Sequence, residues 1–234
     1  VPPEADLPEA AGALWHPSAN FGPRRNGAVP DMVVLHYTAM QSAAEALERL
    51  CSAEHDVSCH YLIGADGTLW QLVREAERAW HAGQGSWGGV SDVNSRSIGI
   101  ELDNRGKGSF AAAQLVTLER LLAELLERWS IPPERVIGHQ DMAPERKQDP
   151  GRYFPWPRLA AKGLAVWPEG RAAKGRFLDC ARIFGYPEAD AGSLLAAFRA
   201  RFRPVAAGRL CEEDRRVMAE LAARFPVDGG AGRG

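Results

Sequence analysis

The stretch from Gly138 to Gly151 reads Gly-His-Gln-Asp-Met-Ala-Pro-Glu-Arg-Lys-Gln-Asp-Pro-Gly. It concentrates groups able to do chemistry: the His139 imidazole, the Asp149 carboxylate and, two residues before it, the Lys147 ammonium. Such a turn-rich segment can present side chains without burying its backbone. A neutral imidazole nitrogen and a carboxylate oxygen suit a borderline metal such as zinc. Two ligands leave that site one short, so the rest of the chain must supply a third, an acid/base group and a place for substrate.

The elements that would position these groups follow from periodicity. Met32-Val33-Val34-Leu35 is a continuous apolar run, the pattern of a strand buried on both faces, and His36, Tyr37 and Thr38 lie at its C-terminal end. Open α/β sheets hold their ligands at such strand ends. Val136-Ile137 is a further short strand leading into Gly138-His139, so both histidines follow strands. Ser97-Ile98-Gly99-Ile100-Glu101-Leu102 reads as a central strand, with Ile100 and Leu102 facing away from Glu101 and Gly99 leaving room for close approach. Glu101 is then either a solvent-facing strand acid or, half-desolvated beside a metal, a proton shuttle.

Other segments supply the frame. Residues 1–30, rich in Pro, Gly and Asn, predict an extended arm anchored by Trp15 or Phe21. Ser42 to Cys51 carries the N-cap and composition of a helix. His60–Ile63, the Asp66-Gly67 turn and Thr68–Val73 predict a hairpin whose partner strands are antiparallel neighbours. Trp80-His81-Ala82-Gly83 and Ser86-Trp87-Gly88-Gly89 form a long loop whose indoles either contact sugar or peptide or plug the core edge. From Ala112 to Ser130, Leu115, Leu118, Leu122, Leu125 and Trp129 recur at helical spacing, and Ile131-Pro132-Pro133 ends that helix. Beyond Trp167-Pro168-Glu169-Gly170, three further helical sets follow: Phe177, Cys180 and Phe184; Leu194, Leu195, Phe198 and Phe202; Val217, Leu221 and Phe225. The Gly-rich end from Asp228 is expected to fray.

With 234 residues, 45% apolar and 25% charged, the chain can bury a sizeable core and hold one domain plus a small second one. Net charge is -2, while the C-terminal part is Arg-rich, which fits either an anionic partner or a solvated helical surface. Cys51, Cys59, Cys180 and Cys211 lack CxxC spacing and read as small buried hydrophobes, a Cys180–Cys211 bridge being the alternative. No stretch is apolar and long enough for a membrane span, and Val-Pro-Pro-Glu-Ala-Asp is not a signal peptide.

Taken together, Val34-Leu35-His36-Tyr37-Thr38, Val57 through Ile63, Ala79-Trp80-His81-Ala82-Gly83, Ser97 through Glu101 and His139 through Gly151 resemble the type-2 family of zinc-dependent N-acetylmuramoyl-L-alanine amidases. That family shares its fold with phage amidase lysozymes and peptidoglycan-recognition proteins. The resemblance implies an α/β fold, a central mixed sheet flanked by helices, with a small C-terminal three-helix domain. It implies a catalytic domain over 1–168, a linker over 169–174 and a peptidoglycan-binding-like helical domain over 175–228, the last match being the weaker.

Residue by residue, it implies zinc held by His36, His139 and Asp149, Glu101 as acid/base and Lys147 as oxyanion partner. Catalytic zinc keeps three protein ligands and an open position, which agrees. His60, His81, Trp80 and Asn94 become candidate substrate contacts, with core hydrogen bonding the rival for His60. Cys59 stands where some relatives carry a catalytic tyrosine, which leaves Glu101 as the proton shuttle. The implied partner is peptidoglycan or its muropeptide fragments, with no nucleic acid and a monomeric chain. The compartment is cytoplasmic from the chain as it stands, and periplasmic or outer-membrane associated if a leader has been removed. Two rivals have clear signatures: a non-catalytic recognition module would bind fragments uncut, and a structural zinc would take a fourth ligand from Cys59 or His60.

Overall fold

The structure is a computed structural model, described here for residues 7–227. The Asp228 end and the first six residues lie outside the described part. Strand β3 (Met32–Tyr37) alternates its apolar residues between two cores: Val33 and Leu35 face one, Met32 and Val34 the other. This is why the run has no polar break before His36.

The sheet has six strands in the order β1-β5-β4-β7-β3-β8, namely Leu14–Trp15, Leu69–Gln71, Tyr61–Ile63, Ser97–Leu102, Met32–Tyr37 and Val136–Gly138. β4 and β5 form the expected antiparallel hairpin. Its outer neighbours differ from expectation: β7 runs parallel to β4, and β1 runs parallel to β5. β7, β3 and β8 are all parallel, so their C-terminal ends meet at one edge. A separate ribbon pairs β2 (Phe21–Pro23) with β6 (Glu77–Ala79).

One face packs on α3 (Ala112–Trp129) through Leu115, Leu118, Leu121, Leu122 and Leu125. The opposite face carries α1 (Ala43–Cys51) at the hairpin side, where Ser42 caps Glu45 N–H. Towards β8, the same face meets α6 (Phe177–Phe184), α7 (Ala191–Phe202) and α8 (Glu212–Arg224). Three short α-helices, α2 (Val93–Arg96), α4 (His139–Met142) and α5 (Trp156–Ala160), lie in the connections. Among the described residues, no helix is long and apolar enough to cross a membrane.

The arm is held by polar groups more than by the expected aromatics. Phe21 is exposed, and Trp15 is partly buried under the Arg74 guanidinium. Buried Ser18 donates to Leu50 O at 2.6 Å, and Asn20 donates to Ser52 O and Val57 O at 2.8 Å each. Backbone carbonyls at the end of α1 and in the segment after it explain the choice, since a buried acceptor must find a donor. All four cysteines are free, so no Cys180–Cys211 bridge forms.

Candidate active site

The parallel strand ends define the site. His36 on β3 pairs in register with Glu101 on β7, and β8 delivers Gly138 directly into α4, whose first residue is His139. The chain then turns so that Gln140 N–H donates to Asp149 O at 2.8 Å, which folds Asp149 back beside the histidines. The Asp149–Pro150 bond is cis.

His36 Nδ1, His139 Nδ1 and Asp149 Oδ2 form a nearly equilateral triangle: 2.9 Å between the imidazoles, 2.9 and 3.0 Å to the carboxylate. All three residues are buried. Their other ring nitrogens are committed elsewhere. His139 Nε2 donates to Ala82 O at 2.8 Å, which leaves its Nδ1 a bare lone pair.

For His36 a longer chain gives the same result. Ser97 Oγ donates to Val93 O at 2.6 Å, so it accepts from His81 Nε2 at 3.2 Å. His81 Nδ1 must then accept from His36 Nε2 at 3.1 Å, and His36 Nδ1 is also bare. Burial, with His139 beside it, lowers the His36 pKa to about 4. A metal requires a ligating imidazole nitrogen without its proton and an ionised carboxylate. Three converging electron pairs repel one another unless a cation lies between them. Ligand atoms that each stand about 2.0–2.1 Å from zinc are themselves roughly 3 Å apart, so the donor set fits that ion. Cys59 and His60 are not part of it: Cys59 Sγ turns to Tyr61 O at 3.2 Å, and the metal-type group comprises His36, His139 and Asp149 alone among the described residues.

These residues floor a cleft of about 480 Å³ that Glu101, Lys147, His81, Trp80, Arg49 and Arg146 help to line. Glu101 Oε2 is buried and accepts no hydrogen bond among the described residues. Desolvation first, then Asp149, push its pKa up to about 8, while Lys147 pulls the other way. A carboxyl so placed can exchange protons near neutrality. Lys147 follows the turn that Arg146 and Lys147 N–H make to Ala143 O, and its ammonium forms no ion pair among the described residues.

The other expected contacts separate. Trp80 and His81 line the cleft, while Trp87 is fully buried against Phe184 and Tyr186, so the two indoles of the loop have different roles. His60 does not reach the cleft. It is fully buried, with Nδ1 accepting from Gly99 N–H at 3.0 Å and Nε2 donating to Glu77 O at 3.1 Å. Asn94 also stands behind the wall, its Oδ1 accepting from His81 N–H and Ala82 N–H at 3.1 and 2.8 Å. Both are hydrogen-bonded into the frame of the site. Gly99 is required here: a Cβ would lie 2.4 Å from the His81 ring. Sequence patterns did not reveal Ser97, Ala82 or Arg146, because backbone carbonyls and strand serines carry no local signature of a role.

Fold and site together define a hydrolase class: a parallel-edged α/β sheet with a three-ligand metal-type centre and an adjoining carboxyl. A family model described as N-acetylmuramoyl-L-alanine amidase matches residues 26–152. The N-acetylmuramoyl-L-alanine amidase AmiD of Escherichia coli is 37% identical over 210 residues, 83% of this chain and 74% of the relative. The 1,6-anhydro-N-acetylmuramyl-L-alanine amidase AmpD of Haemophilus influenzae is 40% identical over 103 residues, 44% of this chain and 56% of that protein. The structure of E. coli AmiD with anhydro-N-acetylmuramic acid-L-Ala-D-gamma-Glu-L-Lys superposes with a TM-score of 0.76 at 34% identity, covering 87% of this chain and 93% of that one. AmpDh3 of Pseudomonas aeruginosa gives 0.76 at 29% identity, covering 89% and 95%. The chain therefore belongs to the N-acetylmuramoyl-L-alanine amidase family.

Proposed function

We propose that this chain hydrolyses the amide between N-acetylmuramic acid and L-alanine in peptidoglycan or its fragments, with zinc held by His36, His139 and Asp149. The observation that carries this is the triangle of bare ligand atoms beside a desolvated Glu101. Zinc at such a site supplies Lewis acidity towards a carbonyl oxygen and makes water a nucleophile near neutral pH. Glu101 takes the proton of the attacking water and returns it to the departing L-alanine amine. Lys147 stabilises the charge that develops on the carbonyl oxygen, and Trp80 and His81 bound the groove that orients the substrate. The ligand set and Glu101 are all in place, which favours catalysis over recognition without cleavage.

The relatives bind anhydromuramyl peptides. We extend that ligand class to this chain, with residues 1–168 as catalytic part, 169–174 as linker and 175–228 as helical unit. The test is digestion of muropeptides with and without the 1,6-anhydro ring, read by mass spectrometry. Products with a new L-alanine amine that vanish on chelation support the proposal. Fragments recovered uncut by zinc-loaded protein, or new reducing sugar ends, overturn it.

A further inference from the structure

The C-terminal helices reach the turn that carries His139 from two sides. Asp141, two residues after His139, is fully buried; its Oδ1 accepts from the Tyr186 hydroxyl at 2.9 Å, and its Oδ2 accepts from Gly138 N–H at 2.8 Å and Arg201 Nη1 at 2.7 Å. Arg201 on α7 has a fully buried side chain. Its Nη2 donates to Val136 O at 3.0 Å, and its guanidinium lies over the Trp156 ring at 4.2 Å. One cation thus ties the start of β8 to the first turn of α4, on either side of Gly138-His139.

On the second side, Ala82, whose carbonyl receives His139 Nε2–H, begins a loop held by the same helices. Trp87 sits against Phe184 and Tyr186, and Gly88 N–H donates to Gly185 O at 2.8 Å. A Cβ on Gly185 would stand 2.6 Å from the indole, so backbone and ring are in contact. Ser86 N–H closes the circuit by donating to Met142 O at 2.9 Å.

We propose that Arg201, acting through Asp141, is a positioning residue for His139, and that this one contact of α7 with the His139 turn belongs to the metal-binding machinery. The proposal rests on the amidase reading of the site. A buried carboxylate persists only when paired and hydrogen-bonded. Without Arg201, Asp141 must move towards another donor or towards water, and it takes Gly138 N–H and the attached His139 with it. Ligand sets tolerate little such displacement.

The experiment uses the full chain and zinc alone, with zinc affinity measured by competition against a chromophoric chelator. Arg201→Met keeps the aliphatic stem and is expected to weaken zinc binding about 10–100-fold. Its kcat at low zinc falls in proportion and recovers as zinc is raised, while KM holds. Tyr186→Phe, which removes one donor to Asp141, shifts zinc affinity in the same direction by a smaller factor. Met218→Ala disturbs the same helical core at a fully buried position on α8 and should bind zinc as wild type, within about twofold. Unchanged zinc affinity in folded Arg201→Met overturns the proposal, as does equal weakening in Met218→Ala. If Arg201→Met does not fold, Tyr186→Phe decides, and wild-type affinity there is the overturning result. Wild-type protein that binds zinc yet releases no L-alanine amine sinks the amidase reading instead, so the two failures are distinguishable.

Discussion

His36 and Glu101 are register partners on the neighbouring parallel strands β3 and β7. Residues paired across parallel strands share a face of the sheet, so one corner of the His36–His139–Asp149 triangle and the neighbouring carboxyl are fixed side by side by backbone hydrogen bonds. Neither depends on a mobile loop for its place, and the two can be tested separately.

Glu101→Gln keeps the volume of the side chain and removes the proton acceptor. Turnover is expected to drop about 10²–10⁴-fold with zinc content unchanged, read by amine release and metal analysis on the same sample. The carboxylate must be ionised to act as base, and burial with Asp149 raises its pKa to about 8. Wild-type kcat/KM should therefore fall as pH drops, along an acid limb that a bound cation moves below that value. The limb should be absent in Glu101→Gln; a limb that survives the substitution belongs to another group.

Asp149→Ala removes one corner of the ligand triangle. Zinc affinity should fall by more than the roughly 10–100-fold typical of outer-shell changes. The metal-free thermal midpoint should move by only about 2–4 °C per kcal/mol lost, because the segment is also held by Gln140 N–H on Asp149 O. Retained zinc would mean that another group is the third ligand.

Lys147→Met should lower kcat about 10²–10³-fold with zinc content intact. An effect confined to KM would assign Lys147 to ground-state binding of an anionic group of the substrate.

Gly99→Ala places a methyl group 2.4 Å from the His81 ring. The ring can retreat only by losing His36 Nε2 or Ser97 Oγ. We expect zinc affinity to weaken about tenfold, the lower end for outer-shell partners, measured by chelator competition. Wild-type affinity would show that the His81 chain does not orient His36.

His60→Gln tests the frame. Burial lowers the His60 pKa to about 3, against about 6.5 in an unfolded chain. The unfolded state therefore binds the extra proton first, and stability is full above the unfolded value and lost as pH falls towards the folded one. Between these limits wild type should lose up to about 1.4 kcal/mol per pH unit more than His60→Gln, measured from urea midpoints in the presence of chelator. Equal slopes would show that His60 titrates normally.

Much of the site was legible because its chemistry coincides with element ends. An apolar run that stops at His36, another that stops before His139, and an acid inside Ser97–Leu102 each break a local pattern, and the structure brings all three to one edge. The hairpin and α1 were legible for similar reasons, since turn and cap residues act within a few positions. His60, Trp87 and Asn94 were not separable from cleft residues by type. A buried His and an exposed one look alike until it is known which carbonyl lies opposite.

By itself, then, the sequence determined where strands end and which groups with lone pairs or exchangeable protons stand at those ends, because strand and turn preferences are local. Only the tertiary structure decided which atoms act. That Nδ1 of both histidines is bare depends on Ala82 O and on the His81–Ser97–Val93 chain. That α7 grips the His139 turn depends on Asp141 meeting Arg201 sixty residues later. Such pairings follow from packing across the sheet face, where distance along the chain carries no information.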